Sequence, residues 1–182
     1  MKRLVDFYLK YQDCTSRREW KCWPFHKIYN QYKEKNGGVT CVDKWREPVN
    51  SNIHELNALA DFETLHNALL QLSGNKGNKY RRVYGIGPLH IYDTAICLKQ
   101  PTTVYLHSGT KKAANAMGIY GSTAELSDFV AKFPELEKLT PLQLEDFLCI
   151  YKEVFIGNKT IEAQLEELPK CCNCTPGVNC GC

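Results

Sequence analysis

The hydrophobic positions of this 182-residue chain recur mostly at three- and four-residue intervals. Leu4, Phe7, Tyr8 and Tyr11 fall on one face of a helix predicted over residues 2–12. The same spacing predicts further helices that begin near Ser16, Asn52, Asp61, Pro88, Ser108, Ser122, Thr140 and Thr160. No segment alternates apolar and polar residues over the length of a strand. The pattern therefore predicts an all-α fold, a compact helical domain.

Some helix ends carry local signals. Thr140, Pro141 and Gln143 combine a helix-capping hydroxyl, a first-turn proline and a capping-box amide, which together predict a helix start. Gly118 predicts the end of the helix that begins near Ser108. Residues 34–50 contain two adjacent glycines and a proline, so they predict a long loop with a short extended piece inside it.

Composition narrows the class of protein. The apolar fraction is 43% and the charged fraction 24%, which is ordinary for a globular chain. A net charge of +3 is weakly basic, so a nucleic-acid surface requires clustered charges rather than bulk charge. No apolar run approaches the roughly 20 residues of a membrane helix, and the first residues are too charged for a signal peptide. We expect a bacterial cytoplasmic protein without a membrane partner.

Ten cysteines are unevenly distributed. Half are scattered along the chain, and the other half lie in the last twelve residues. This distribution predicts reduced core thiols and a cysteine-rich C-terminal tail over residues 169–182 that follows a helical domain over residues 1–168. A high density of thiolates around a Pro-Gly turn suits tetrahedral zinc, whereas the alternative is a reactive tail without a metal. The candidate ligands are Cys171, Cys174, Cys180 and Cys182, with Cys172 or Cys149 as other sources of the fourth thiolate.

A glycine turn with a basic approach lies in the middle of the chain. Arg81 and Arg82 precede Gly85-Ile86-Gly87, and Pro88 follows where a helix would begin. Glycine leaves backbone N–H groups uncovered, and proline at the first helical position removes no needed donor. Such a helix start binds phosphate readily. The alternative is a tight turn between helices that binds no ligand.

Two segments together resemble the helix-hairpin-helix superfamily that includes the base-excision DNA glycosylases. Residues 83–88 are similar to the hairpin of that family, and residues 104–119 are similar to the segment that follows it. The resemblance implies a helix-hairpin-helix motif at about residues 79–100 and sequence-independent binding of duplex DNA, with a monovalent cation at the hairpin. The residues that would grip the phosphate backbone are Gly85, Ile86, Gly87, Arg81, Arg82, Lys111 and Lys112.

The chain departs from that family at both catalytic positions. Tyr105 stands where the glycosylases place an aspartate, and Leu89 stands where the lyase-competent members place a lysine. Tyrosine carries no charge at neutral pH, so the resemblance implies a DNA-binding branch of bacterial proteins without classical glycosylase activity. The same family also implies a [4Fe–4S] cluster in the tail, because the spacing of Cys171, Cys174 and Cys180 matches three of its four ligands.

Two other interpretations stay open. A rebuilt site would make the protein an enzyme of DNA-lesion repair or nucleobase chemistry, with Asp93, His107 and His90 as candidate catalytic residues. His90 and Asp93 are three residues apart on one predicted helix, and a His–Asp pair transfers protons near neutral pH. The pair could equally be a hydrogen-bonded support for the hairpin. In the third interpretation the hairpin only turns the chain of a protein-interaction domain.

Overall fold

The computed structural model describes residues 1–15, 41–74 and 87–167. Within these residues 68% are helical and 3% lie in strands, which agrees with an all-α class. The chain divides into two compact units, one of Met1–Arg18 with Thr102–Cys182 and the other of Glu19–Pro101. Most of the predicted hairpin and the whole cysteine-rich tail lie outside the described residues, so both stay predictions.

In chain order the described elements are α1 (Lys2–Thr15), α2 (Cys41–Ser51), α3 (Ile53–Ala58), α4 (Phe62–Leu72), α5 (Pro88–Leu98), β1 (Val104–Tyr105), α6 (Ser108–Ala116), β2 (Thr123–Ala124), α7 (Leu126–Val130), a 3-10 helix (Pro134–Lys138), α8 (Pro141–Ile150), α9 (Lys152–Phe155) and α10 (Ile161–Glu167). The strands β1 and β2 pair antiparallel, with Val104 opposite Ala124. This short ribbon leads directly into α6.

The unit that contains α2 to α5 packs around aromatic and aliphatic side chains. Trp45 of α2 is buried, and its Nε1 donates a hydrogen bond of 3.0 Å to the Thr94 hydroxyl on α5. Asp61 caps α4 by accepting the Thr64 N–H at 2.7 Å. The helix α5 begins at Pro88, as the sequence predicts, and the Ile91 N–H donates to the Gly87 carbonyl at 3.2 Å.

The other unit buries one face of α1 against α8. Tyr8 and Phe147 are fully buried, and their rings meet edge to face with centroids 5.5 Å apart. The rest of this core is aliphatic and aromatic: Leu4, Val5, Val104, Leu106, Ala113, Ala114, Ile119, Phe129, Leu136, Leu139, Leu144, Leu148 and Tyr151. Burial of these side chains is the main source of stability for helices this short.

The predicted loop over residues 34–50 is wrong where the structure describes it. The helix α2 spans Cys41–Ser51 with Pro48 inside it, and this also replaces the extended piece expected near Cys41. Proline costs an interior helical hydrogen bond. Burial of Trp45 and Val49, four residues apart on one face, outweighs that cost, and the Asn52 side chain donates to the Pro48 carbonyl at 2.8 Å.

Several predicted helix ends are confirmed. Thr140 and Gln143 form the predicted capping box, with backbone-to-side-chain bonds of 3.2 and 2.9 Å. Gly118 has a φ of +78° just after α6, a conformation that favours glycine. The helix expected from Ser122 begins instead at Leu126, where Glu125 and Asp128 form the capping box. The reason is that the preceding residues pair as β2.

Candidate functional site

Glu145 and Cys149 lie four residues apart on α8, so both side chains emerge from one face of that helix. This face packs against α6. Glu145 is 0% exposed, although it is a carboxylate in the middle of a largely apolar helix. A buried carboxylate is costly unless a partner stabilises it, so its surroundings define a candidate site.

His107 is the residue immediately before α6 and caps that helix. Its Nδ1 accepts the Gly109 N–H at 3.2 Å, and its carbonyl accepts the Lys111 N–H at 2.7 Å. The Thr110 hydroxyl also donates to the His107 carbonyl at 3.2 Å. An imidazole nitrogen thus takes the place of the hydroxyl that usually caps a helix. The sequence predicts the cap at Ser108, whereas the structure has it one residue earlier, at His107. Ser108 is the first residue of α6.

The other ring nitrogen of His107 meets the buried carboxylate. Nε2 lies 2.7 Å from the Oε1 atom of Glu145, a short distance typical of charge-assisted hydrogen bonds. Because Nδ1 accepts from Gly109, the neutral ring carries its proton on Nε2 and donates it to Glu145. The carboxylate therefore fixes both the tautomer and the orientation of the imidazole.

Cys149 completes this group. Its thiol is not in a disulfide and is partly buried, and it contributes to the raised pKa of His107. A Cβ placed on Gly109 would lie 3.2 Å from the Cys149 Sγ and 3.2 Å from the His107 Cε1, so the glycine lies against both side chains. We refer to His107, Glu145, Cys149 and Gly109 as the His107 centre.

The surroundings shift the proton affinity of the imidazole. Burial lowers the pKa of His107, but the hydrogen bonds to Cys149 and Glu145 and the charge of Glu145 outweigh burial. The net result raises the pKa from 6.5 to about 9. The side chain keeps 15% of its surface exposed, so solvent or a ligand reaches one edge of the ring.

The carboxylate next to Glu145 in sequence serves a separate buried contact. Asp146 accepts a hydrogen bond of 3.1 Å from the Tyr8 hydroxyl of α1. Burial and then the charge of Asp146 raise the pKa of the Tyr151 hydroxyl above its usual range. Two adjacent carboxylates on α8 thus point to different partners, and only Glu145 belongs to the His107 centre.

The catalytic residues that the sequence predicts belong to two different units of the fold. His107 lies at the start of α6, whereas Asp93 lies on α5 in the other unit, where it is 4% exposed. His90 is also on α5. Within the described residues His107 is instead joined to Glu145 and Cys149. Neither was predicted to be catalytic, and Cys149 was only a possible metal ligand.

The predicted DNA-binding residues are partly described. Lys111 and Lys112 are exposed on α6, and Gly87 directly precedes α5. Outside the described residues lie Arg81, Arg82, Gly85, Ile86, Cys171, Cys172, Cys174, Cys180 and Cys182. The zinc or [4Fe–4S] site and the hairpin cation therefore stay predictions. In residues 1–15, 41–74 and 87–167 no group of three metal-ligating side chains is close enough to hold an ion.

One feature of the sequence indicates that Glu145 is unusual, although helical periodicity alone does not reveal it. Residues 142–150 read Leu-Gln-Leu-Glu-Asp-Phe-Leu-Cys-Ile, so two acidic residues interrupt an apolar helix. A charge at a position that helical spacing predicts to be buried requires a partner. Nothing local identifies that partner, because His107 is 38 residues away.

Comparison with protein-family models, with curated proteins and with solved structures found no match to this chain. Among the described helices, none has the length and apolar character needed to cross a membrane.

Proposed function

We propose that the protein is an enzyme and that His107, held by Glu145, transfers protons at its active site. The observation that carries the proposal is the 2.7 Å contact between Nε2 of His107 and a fully buried carboxylate. This is one form of the rebuilt catalytic site predicted from the sequence. It retains His107, and its acidic residue is Glu145, whereas the sequence predicts a pair of Asp93 with His90.

The physical reason is that the pair meets the requirements of a general acid–base. A carboxylate on Nε2 orients the ring and stabilises the imidazolium, and proton transfer then uses Nδ1, which must first release the Gly109 N–H. The raised pKa of about 9 keeps His107 mostly protonated at neutral pH, so the ring acts there as a general acid and becomes a base only at higher pH. A purely structural cap needs the Gly109 contact alone, which does not require a buried carboxylate on the opposite nitrogen.

The test is a substrate screen with a matched pair of variants. The panel would include activated esters and thioesters, nucleosides and duplexes with damaged bases. Glu145→Gln keeps the size of the side chain and removes its charge, so turnover of any substrate found should fall about 10²- to 10⁴-fold. Tyr8→Phe, which removes a buried hydrogen bond to the neighbouring Asp146, should retain turnover. Equal activity of wild type and Glu145→Gln would exclude the proposal.

A second candidate function is binding of a nucleic-acid backbone at the start of α5. It is supported by the position of that helix, which begins at Pro88 immediately after the glycine turn of the sequence. Lys111 and Lys112 are exposed on α6 of the other unit, and their contribution is tested separately from that helix start. Binding of this kind is insensitive to base sequence and weakens steeply with salt. The interpretation as a protein-interaction domain stays a prediction.

A further inference from the structure

We propose that the protein binds a medium-chain fatty carboxylate in a pocket at the C-terminal end of α6. Its volume is about 420 Å³, within the range of roughly 300–1,000 Å³ that is usual for small-ligand sites. The pocket reaches Ala116, the last residue of α6, whereas His107 precedes the first residue of that nine-residue helix, which is about 13 Å long. Such binding therefore does not depend on proton transfer by His107.

The pocket lies within the unit of Met1–Arg18 with Thr102–Cys182 and is continuous with its core. The rings of Phe133 and Phe155 line it and meet edge to face, with centroids 6.2 Å apart. Phe155 in turn contacts the fully buried Phe147, at a centroid distance of 6.1 Å. Both lining rings are half-buried, so an apolar ligand would cover surface that now faces water, and this favours binding.

The apolar surface of the pocket is recessed. Met1, Met117 and Phe133 are half-buried, and the exposed large hydrophobic side chain of the described residues, Tyr120, is not among those that line the pocket. A stable protein partner requires a broad surface of about 1,000 Å² or more, whereas a recessed pocket admits a narrow chain. Methionine side chains are flexible and adapt to such a chain. The shape therefore favours an alkyl chain over a second protein.

The charge at the pocket selects the head group. Every described lining side chain except Lys132 is apolar, and Lys132 is exposed and forms no ion pair with the described residues. Glu162 and Glu153 each adjoin a lining residue in sequence. Glu162 pairs with Arg3 at 2.8 Å, and Glu153 accepts a hydrogen bond of 2.8 Å from the Asn158 side chain. An unpaired ammonium at the mouth of an apolar pocket complements a carboxylate that carries an alkyl chain.

The experiment uses the two methionines of the chain, Met1 and Met117, because both line the pocket. In the full chain labelled with ¹³C at the methionine methyl groups, titration with decanoate below its micelle concentration should shift both resonances to saturation. Across a series from hexanoate to tetradecanoate, the affinity should rise about fourfold for each added methylene until the pocket is full, and then level off. Unmoved resonances, or an affinity that never levels off, would overturn the proposal.

The head group is tested with decanol, which has no charge, and decylamine, which has the opposite charge. Wild type should bind decanoate about two- to fivefold more tightly than decanol. Lys132→Met should abolish this preference, whereas Lys138→Met, which removes the same charge from an exposed position that does not line the pocket, should retain it. Tighter binding of decylamine than of decanoate would overturn the proposal.

A last variant tests the location of the ligand. Ala116 is exposed at the rim of the pocket, so Ala116→Phe should keep the circular dichroism of the wild type while its ring takes up ligand volume. Its affinity for decanoate should fall about tenfold or more. An unchanged affinity would place the ligand elsewhere and refute the proposed site. Methionine resonances that shift with protein concentration alone would assign the pocket to a second copy of the chain instead.

Discussion

Nε2 of His107 and Oε1 of Glu145 lie 2.7 Å apart, and they join the start of α6 to a fully buried position on α8. The two residues are 38 positions apart in the chain, so this contact closes a long loop as well as pairing two titratable groups. The stability that this contact gives to the fold therefore depends on pH, on the identity of both side chains and on the space around them.

The first prediction concerns the stability of this unit as the pH rises. The folded-state pKa of His107 is about 9, above its ordinary value of 6.5. The protonated ring therefore stabilises the folded state fully below pH 6.5, and this stabilisation is lost as the pH rises through about 9. The free energy of unfolding should fall by about 3 kcal/mol over that range.

The measurement for that prediction is hydrogen exchange at the amides of α8, corrected for the intrinsic effect of pH on exchange. Exchange follows this unit by itself, whereas the described tryptophan, Trp45, lies in the other unit. The Glu145→Gln variant should show a much smaller loss of protection. A wild-type protein with flat protection over that range would contradict a raised pKa.

The second prediction is that removal of His107 destabilises the fold chiefly because it leaves the charge of Glu145 buried without a partner. His107→Ala leaves a carboxylate buried without its imidazole and should lower the free energy of unfolding by about 3–5 kcal/mol. The double variant His107→Ala with Glu145→Leu should regain part of that loss, because no charge then remains buried. Thermal unfolding followed by circular dichroism would measure both, and a double variant less stable than the single one would show that the buried charge is not the cause.

The third prediction distinguishes two reasons for a glycine: close contact with neighbouring side chains at Gly109, and a positive φ at Gly157. Gly109 lies against His107 and Cys149, whereas Gly157 has a φ of +80° and open space around its Cα. Gly109→Ala should shift the imidazole resonances of His107, because the new methyl group displaces the ring. Gly157→Ala should leave those resonances in place and cost about 1 kcal/mol through backbone strain alone. Nuclear magnetic resonance of labelled histidine distinguishes the two, and identical spectra for both variants would refute the steric role of Gly109.

Local signals predicted much of the fold and little of the candidate site. The capping box of Thr140 and Gln143 and the stop at Gly118 act within a few residues, so the sequence contains them in full. The helix α2 escaped prediction because its stability comes from burial of Trp45, which depends on α5. Glu145 escaped for the same reason. Its charge makes sense only beside His107, and helical spacing alone assigns its position to the core.

The fourth prediction tests the contact that explains α2. Thr94→Val preserves shape but removes the oxygen that accepts the Trp45 N–H at 3.0 Å. A buried indole N–H without an acceptor should lower the free energy of unfolding of that unit by about 1–3 kcal/mol. Urea unfolding followed by tryptophan fluorescence measures it. Combining Thr94→Val with Trp45→Phe should add little beyond Trp45→Phe itself, and simple additivity would show that the two side chains do not interact.

The fifth prediction addresses the second candidate function. If the glycine turn before α5 binds a phosphate backbone, the double variant Gly85→Ala with Gly87→Ala should lose affinity for duplex DNA of any sequence, because added methyl groups obstruct the approach of phosphate to backbone N–H groups. Fluorescence anisotropy over a series of salt concentrations measures this. The logarithm of the wild-type affinity should fall linearly with the logarithm of salt concentration. Lys111→Ala with Lys112→Ala should reduce that slope by about 2 if both lysines contact phosphates. If the glycine variant binds DNA as tightly as the wild type and has the same helical content, the glycine turn is not the DNA-binding element.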